Sequence, residues 1–136
     1  MTTEGERGGL RRRIRAICLA LPEAQEVTEG RPALEHARDA VLFRVADRSF
    51  AWYLDDHHHD GRCAVWCCVG TGQRDHLVDT DPVVYFVPPY LGWRGWVGVR
   101  LDAHPDWPLV ADLVEESYRR AAPPRLRLRL DGPGGA

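Results

Sequence analysis

The sequence predicts an α+β two-layer sandwich in which helices cover one face of an antiparallel sheet. Three observations predict it: an apolar helical stripe near the N-terminus, several short β-rich runs in the middle, and a second amphipathic stripe near the C-terminus. Short polar breaks join the β-rich runs, which favours hairpins and antiparallel pairing. The predicted order of elements is α-β(3)-α-β(2)-α, which is typical of helices packed on one side of a sheet.

The first helix is predicted to start at Thr3, whose hydroxyl suits an N-cap, with Glu6 three residues later. Pro22 is predicted to end it. Between them, one apolar stripe at helical spacing runs through Leu10, Ile14, Ile17, Cys18 and Leu21. The arginines of this segment lie mostly off the stripe, so the exposed side of the helix is predicted to be basic.

Three β-rich runs follow, over residues 40–45, 49–54 and 62–69. The mixed segment before them has room for a short strand near residues 24–28. Alternation along the third run sends Cys63, Val65 and Cys67 to one face of the sheet and the even-numbered residues to the other. A polar loop containing three consecutive histidines joins the second run to the third.

The second half of the chain is predicted to hold a short helix over residues 73–79 and two strands over residues 83–87 and 95–101. A long helix is predicted to follow from Asp106, a good N-cap, with Pro108 tolerated in its first turn. The predicted buried stripe of this helix consists of Trp107, Val110, Ala111, Val114, Tyr118 and Ala121.

Length and composition indicate one globular domain, because 136 residues suffice for a single core. We expect the domain over residues 1–126 and a flexible C-terminal tail over residues 127–136. No stretch approaches the roughly 20 apolar residues of a membrane span, and no apolar leader segment follows the charged N-terminus. We therefore expect a cytoplasmic protein with no membrane partner, in which the four cysteines are reduced.

All 18 basic residues are arginine, and they are unevenly distributed. Residues 1–15 carry a net charge of +3 and residues 119–136 carry +4, whereas residues 16–118 carry −9. The overall charge of −2 argues against strong nonspecific binding to nucleic acids. If the two ends meet in space, however, they form a basic patch suited to phosphates. The candidates for such contacts are Arg11, Arg12, Arg15, Arg125 and Arg127.

Histidine and cysteine side chains cluster in the loop at residues 57–59 and in the strand after it, at Cys63, Cys67 and Cys68. Imidazole and thiolate suit Zn²⁺ or copper, but neighbouring strand residues point to opposite faces and the spacing matches no metal motif. A Cys63–His pair lacks any signal of an oxyanion hole. We therefore expect no metal, no cofactor and no catalytic residue in a nonenzymatic protein.

Aromatic residues alternate with glycines between residues 90 and 96. This block and the strand after it supply candidate contacts to a nucleobase, a planar ligand or a phosphate, at Tyr90, Trp93, Arg94, Trp96 and Arg100. The same aromatic residues equally suit core packing. Trp52 and Trp66, on adjacent predicted strands, are candidates for the floor of a pocket.

Residues 87–101 read VPPYLGWRGWVGVRL, and this run resembles the MmcQ/YjbR-like family. Leu21-Pro22-Glu23 after the first helix and Asp106-Trp107 at the start of the last agree with the family's order, so the resemblance covers roughly residues 10–126. It implies a fold similar to that of secretion chaperones and a "double wing" DNA-binding function. The chain departs from many relatives at Cys67-Cys68, where they carry a lysine.

Three hypotheses for function follow. The resemblance implies a nonenzymatic protein that binds double-stranded DNA, and the charge at the two ends supports it. The tryptophans support the alternative of a binding or resistance protein that holds a small planar ligand in an aromatic pocket. The implied fold supports a third hypothesis, a protein-interaction module, and the chain is expected to be a monomer or a homodimer.

Overall fold

One antiparallel sheet and four helices form the part of the chain described by the computed structural model, residues 2–132. The sheet has the strand order β1-β2-β3-β4-β6-β5. The strands are β1 Gln25–Val27, β2 Asp39–Val45, β3 Arg48–Asp55, β4 Cys63–Cys68, β5 Tyr85–Phe86 and β6 Trp96–Arg100. The helices are α1 Glu4–Leu19, α2 Thr71–Thr80, α3 Trp107–Ala121 and α4 Pro124–Asp131. Within residues 2–132, no helix is both long and apolar enough to cross a bilayer.

The predicted fold class is confirmed, with two additions to the predicted order. The short segment near residues 24–28 forms β1, so four strands rather than three precede α2. A further helix, α4, follows the long C-terminal helix. Both predicted N-caps are present, since Thr3 Oγ1 accepts from the amide of Glu6 at 3.1 Å and Asp106 Oδ1 accepts from the amide of Leu109 at 3.3 Å.

The main core lies between one face of the sheet and the helices α1 and α3; we call this the helix face. Ile14 and Cys18 of α1 and Val110, Val114 and Tyr118 of α3 are fully buried there. They pack against strand residues that share this face, among them Val41, Phe43, Tyr53, Val65, Cys67, Val97 and Val99. Burial of each large apolar side chain stabilises the fold by about 1.5–3 kcal/mol.

A β-bulge in β3 adds an aromatic ring to this core. Phe43 pairs with Ala51 and Arg44 pairs with Ser49, which leaves Phe50 as the extra residue. Because a bulge interrupts strict alternation, Phe50 and Ala51 both face the helices. The Phe50 ring meets the Tyr118 ring edge to face, with centroids 5.4 Å apart.

A buried hydroxyl fastens α3 to the sheet beside the bulge. Ser117 is 1% exposed, and its Oγ donates to the carbonyl of Phe50 at 2.6 Å and accepts from the amide of Cys68 at 2.8 Å. The pairing of β3 with β4 ends at Ala51 and Cys67, so the hydroxyl bridges the next pair of backbone groups. The buried hydroxyl thereby satisfies one backbone acceptor and one backbone donor that lie beyond the end of the strand pairing.

The C-terminal segment differs from the tail expected over residues 127–136. Residues up to Asp131 belong to α4, and Leu126 is fully buried in the main core. Pro124 occupies the first position of this helix, where a missing N–H is harmless. Arg127 donates to the carbonyl of Ala122 at 2.7 Å, which ties α4 to the end of α3. The rest of the expected tail, residues 133–136, lies outside the described residues.

Replacement of the buried hydroxyl tests its role as a fastener. Ser117→Ala should lower the free energy of unfolding by about 2 kcal/mol, because the amide of Cys68 and the carbonyl of Phe50 lose their partner. Urea denaturation followed by circular dichroism measures the change. The matched control is Ser49→Ala, which should stay within about 0.5 kcal/mol of the parent. Equal stability of the two variants would contradict the assignment.

Candidate ligand-binding pocket

The face of the sheet opposite α1 and α3, here called the open face, carries a row of aromatic side chains. Trp52 of β3 pairs directly with Trp66 of β4, and Trp96 of β6 pairs with Cys68 of β4. Alternation sends these residues and Leu54 away from the helices into a second apolar cluster. The strand register alone therefore concentrates three tryptophans on the side of the sheet that no long helix covers.

Gly98 allows the aromatic row to extend to the edge of the sheet. It pairs with Trp66 on one side and with Phe86 of β5 on the other. A Cβ atom at Gly98 would overlap the Phe86 ring, so this ring occupies the space that a side chain would need. The glycine thus lets Phe86 lie against the backbone of β6.

Two short segments cover part of the open face and leave a cavity of about 380 Å³ between them. The first, which we call the 32–36 flap, is the 3₁₀ helix Pro32–His36. The second, the 87–95 flap, is the connection between β5 and β6. The strands supply Trp52, Leu54 and Trp66 to the cavity, and the flaps and the β3–β4 loop supply Ala33, His36, His57, His58, Pro89, Tyr90 and Leu91.

The loop between β3 and β4 holds a strained conformation that presents histidines to the cavity. Asp56, His58 and His59 all have positive φ, at 60°, 49° and 61°. Such conformations cost non-glycine residues about 1 kcal/mol or more each. The Asp56 carboxylate holds the loop, because it accepts from the amide of Gly61 at 2.9 Å and from Arg38 at 3.3 Å.

Three histidine rings form one continuous row of ring contacts along the cavity. His57 is 5% exposed and meets Trp66 edge to face at 5.0 Å and His58 edge to face at 4.3 Å. His58 stacks on His36 of the 32–36 flap, with centroids 4.6 Å apart. Burial lowers the pKa of His57 below its usual value, and proximity to His58 lowers it further, whereas Asp60 opposes the shift. His57 is therefore neutral at pH 7, with one donor and one acceptor nitrogen.

The remaining aromatic candidates occupy different places. Tyr90 lines the cavity and is 75% exposed, whereas Trp96 is buried in the apolar cluster of the open face. Trp93 is 72% exposed, with the guanidinium carbon of Arg94 4.8 Å from the centre of its ring. Arg100 is engaged with Asp102, at 3.1 and 3.2 Å. The structure thus brings Tyr90 to Trp52 and Trp66, and leaves Trp93 and Arg94 on the outer surface.

Most of the candidate arginines at the chain ends are held by groups of the chain itself. Arg11 pairs with an aspartate of β2 at 3.0 Å, and Arg15 pairs with a glutamate of β1 at 2.6 Å. Arg125 of α4 binds Glu23, in the segment after α1, at 2.9 Å. Arg12 is exposed and has no acidic partner among residues 2–132. The arginines therefore serve mainly as links between elements.

A second cavity, of about 420 Å³, lies at the same C-terminal end of β3, beside α1, and charged residues make up most of its lining. Arg7, Asp55 and Arg100 are among its lining residues, and Arg7 pairs with Asp55 at 3.0 Å. Burial raises the pKa of Asp55, although Arg7 and Arg38 oppose the shift. The charged groups of this cavity thus already satisfy one another.

The cysteines do not join the histidines in one site. Cys63 and Cys67 share one face of the sheet, as predicted; this is the helix face, whereas His57 lines the cavity on the open face. Burial raises the pKa of Cys63 to about 12, so its thiol is protonated at neutral pH. Across the described part of the chain, no group of three His, Cys, Asp or Glu side chains is placed to hold a metal ion.

The architecture defines a class of α+β proteins in which two helices cover one face of the sheet and short flaps cover part of the other. The model of the YjbR family matches residues 19–120, and the chain belongs to this family. The crystal structure of Deinococcus radiodurans protein DR2400, with a DUF419 domain, has the same fold, with a TM-score of 0.65 and 21% identity. The match covers 90% of this chain and 88% of that one. No curated protein matches the chain.

The contacts among His36, His57 and His58 are the part of the pocket that the sequence analysis did not predict. The aromatic residues Trp52, Trp66 and Tyr90 were candidates from the sequence, but His36 lies in a segment without a clear pattern. Its contact with His58 depends on how the 32–36 flap folds over the sheet. The histidine run at residues 57–59 was visible only as a loop with metal-ligand residue types.

The lowered pKa of His57 predicts a pH dependence of stability. Because the folded state disfavours the charged ring, the contribution of His57 is fully present above the ordinary histidine pKa of about 6.5 and is lost as the pH falls through the lower pKa of the folded state. Thermal unfolding between pH 7.5 and 5 should therefore show a steeper loss of Tm for the parent than for His57→Phe. His76→Phe, on exposed α2, should follow the parent. Parallel profiles for parent and His57→Phe would exclude this role.

Proposed function

We propose that the protein is a nonenzymatic binding protein that holds a small planar aromatic molecule in the cavity of the open face. The observation that carries this proposal is the cavity of about 380 Å³ lined by Trp52, Trp66 and Tyr90. Its volume lies within the range of about 300–1,000 Å³ typical of small-molecule sites. Apolar and aromatic side chains dominate its lining, as in such sites.

The three aromatic residues differ in exposure in a way that suits a ligand. Trp66 is buried at the floor, Trp52 is half-buried, and Tyr90 is largely exposed in the 87–95 flap. A flat molecule on the tryptophans would cover apolar surface that now faces the cavity, and it would gain part of the Tyr90 ring as a lid. Each aromatic contact contributes about 0.5–1.5 kcal/mol beyond the area that it buries.

Titration with 2-naphthol tests the proposal. Spectra of ¹⁵N-labelled protein resolve the five indole N–H groups, and single tryptophan variants assign them. The indole signals of Trp52 and Trp66 should move on titration, and Trp52→Leu should weaken binding about tenfold, because it removes a stacking surface. Trp93→Leu, outside the cavity, is the matched control and should bind like the parent. Absence of saturable shifts in the parent protein would refute the proposal.

Duplex DNA is a second candidate partner, implied by the family resemblance. The exposed pair of Trp93 and Arg94 favours it, since an aromatic ring with a guanidinium above it suits bases and phosphates. The ion pairs of Arg11, Arg15 and Arg125 limit the charge available elsewhere.

Fluorescence anisotropy with a labelled duplex tests this second candidate. At low salt, binding in the nonspecific range of about 10⁻⁴–10⁻⁶ M is expected, weakening as salt rises. Arg94→Ala should lower the slope of log K against log salt by about one, because one phosphate contact is lost. Arg48→Ala, which removes the same charge from the exposed first residue of β3, should leave the slope unchanged. A flat titration at tens of micromolar protein eliminates the DNA hypothesis.

A further inference from the structure

We infer that the planar molecule bound in the cavity carries a hydroxyl group that exchanges a hydrogen bond with His57. The ligand class is therefore a neutral hydroxyarene rather than a bare hydrocarbon, an aromatic acid or an aromatic amine. This inference rests on the proposed function and adds the polar group by which the site recognises its ligand.

The first step is that the ring of His57 is buried and has no hydrogen-bond partner in the described chain. Its ring is 5% exposed, and within residues 2–132 no side-chain or backbone group donates to it or accepts from it. Its neighbours are ring faces and edges, those of Trp66 and His58. Buried polar groups are nearly always hydrogen-bonded. The imidazole of His57 therefore needs a hydrogen-bond partner that the described part of the protein does not supply.

The second step concerns the direction in which that partner lies. The nitrogens of His57 are not among the fully enclosed side-chain atoms without a hydrogen-bond partner in the described chain, so they still reach open space. His57 lines the cavity of the open face, next to Trp66. A molecule on the tryptophans therefore has its edge beside the His57 ring.

The third step identifies the chemistry of the partner. Among the described residues, the cavity lining contains no arginine, aspartate or glutamate, so an ionised ligand would be buried without a counter-charge. The rings of His36 and His58 are stacked face to face on each other. A neutral imidazole offers one donor and one acceptor nitrogen. A hydroxyl can accept a hydrogen bond from the first or donate one to the second. A neutral hydroxyl on a planar ring meets all of these conditions.

A pair of matched probes tests the inference. 2-Naphthol and 2-methylnaphthalene have nearly the same shape, but only the first forms hydrogen bonds. Hydrophobic transfer alone favours the methyl compound, so a preference for the naphthol reports a hydrogen bond. At pH 7.5 the parent protein should bind 2-naphthol about tenfold more tightly, and the imidazole ¹⁵N signals of His57 should shift with the naphthol alone.

Variants assign the preference to one histidine. His57→Phe should retain the affinity for 2-methylnaphthalene and bind 2-naphthol no more tightly than this probe, because it keeps a ring against Trp66 and loses the nitrogens. His59→Phe is the matched control, since the side chain of His59 is 98% exposed, and it should keep the tenfold preference. The indole N–H spectrum of each variant reports whether the fold is retained.

The outcomes separate the inference from the proposed function. If neither probe binds the parent, the proposed function fails and the inference fails with it. If both bind the parent equally, the pocket stands and the hydroxyl assignment is overturned. A preference that survives in folded His57→Phe also overturns it. Should His57→Phe fail to fold, the ratio of the two parent affinities and the His57 ¹⁵N shifts decide the matter.

Discussion

The alternation of side chains along β3, β4 and β6 is the constraint on which the rest of the structure depends. It sends one half of the large apolar residues to α1 and α3, and the other half, with Trp52, Trp66 and Trp96, to a face that no long helix covers. Short segments must then shield the second half. The 32–36 flap and the 87–95 flap do so incompletely, and the aromatic cavity is the space between them. The pocket thus follows from how the chain covers a sheet that is apolar on both sides.

The arginine-rich ends contribute to the same architecture. Arg15 joins α1 to β1, Arg125 joins α4 to the segment after α1, and Arg119 binds Asp131 at 2.6 Å. Exposed pairs of this kind contribute about 0–1 kcal/mol each, so they orient elements more than they stabilise them. These basic residues of the two chain ends are therefore neutralised in the fold by acidic side chains of neighbouring segments. A basic surface made by both ends together would have to displace these pairs.

Much of the fold was predictable because its signals are local. Strand alternation placed Cys63 and Cys67 correctly, and capping residues placed the starts of α1 and α3. The bulge at Phe50 could not be foreseen, since an extra residue in β3 is defined only by the register with β2. α4 was missed because alternating arginine and leucine do not show a helical stripe, and its single fully buried residue, Leu126, finds its place in a core made by other segments. The histidine stack was missed for the same reason, since His36 and His58 meet only in the tertiary structure.

The conformation of the β3–β4 loop links these features to the cavity of the open face. Glycine would relieve the strain at each of the three positive-φ positions, Asp56, His58 and His59, yet the chain has larger residues there. At Asp56 the side chain compensates, because its carboxylate closes the loop on Gly61 and Arg38. At His58 the compensation is the stack on His36, which joins this loop to the 32–36 flap. Strain of this kind persists where the surrounding contacts over-determine it, commonly at ligand sites. The loop therefore holds His57 against Trp66 in the protein alone, and under the proposed function a ligand would not have to order that ring.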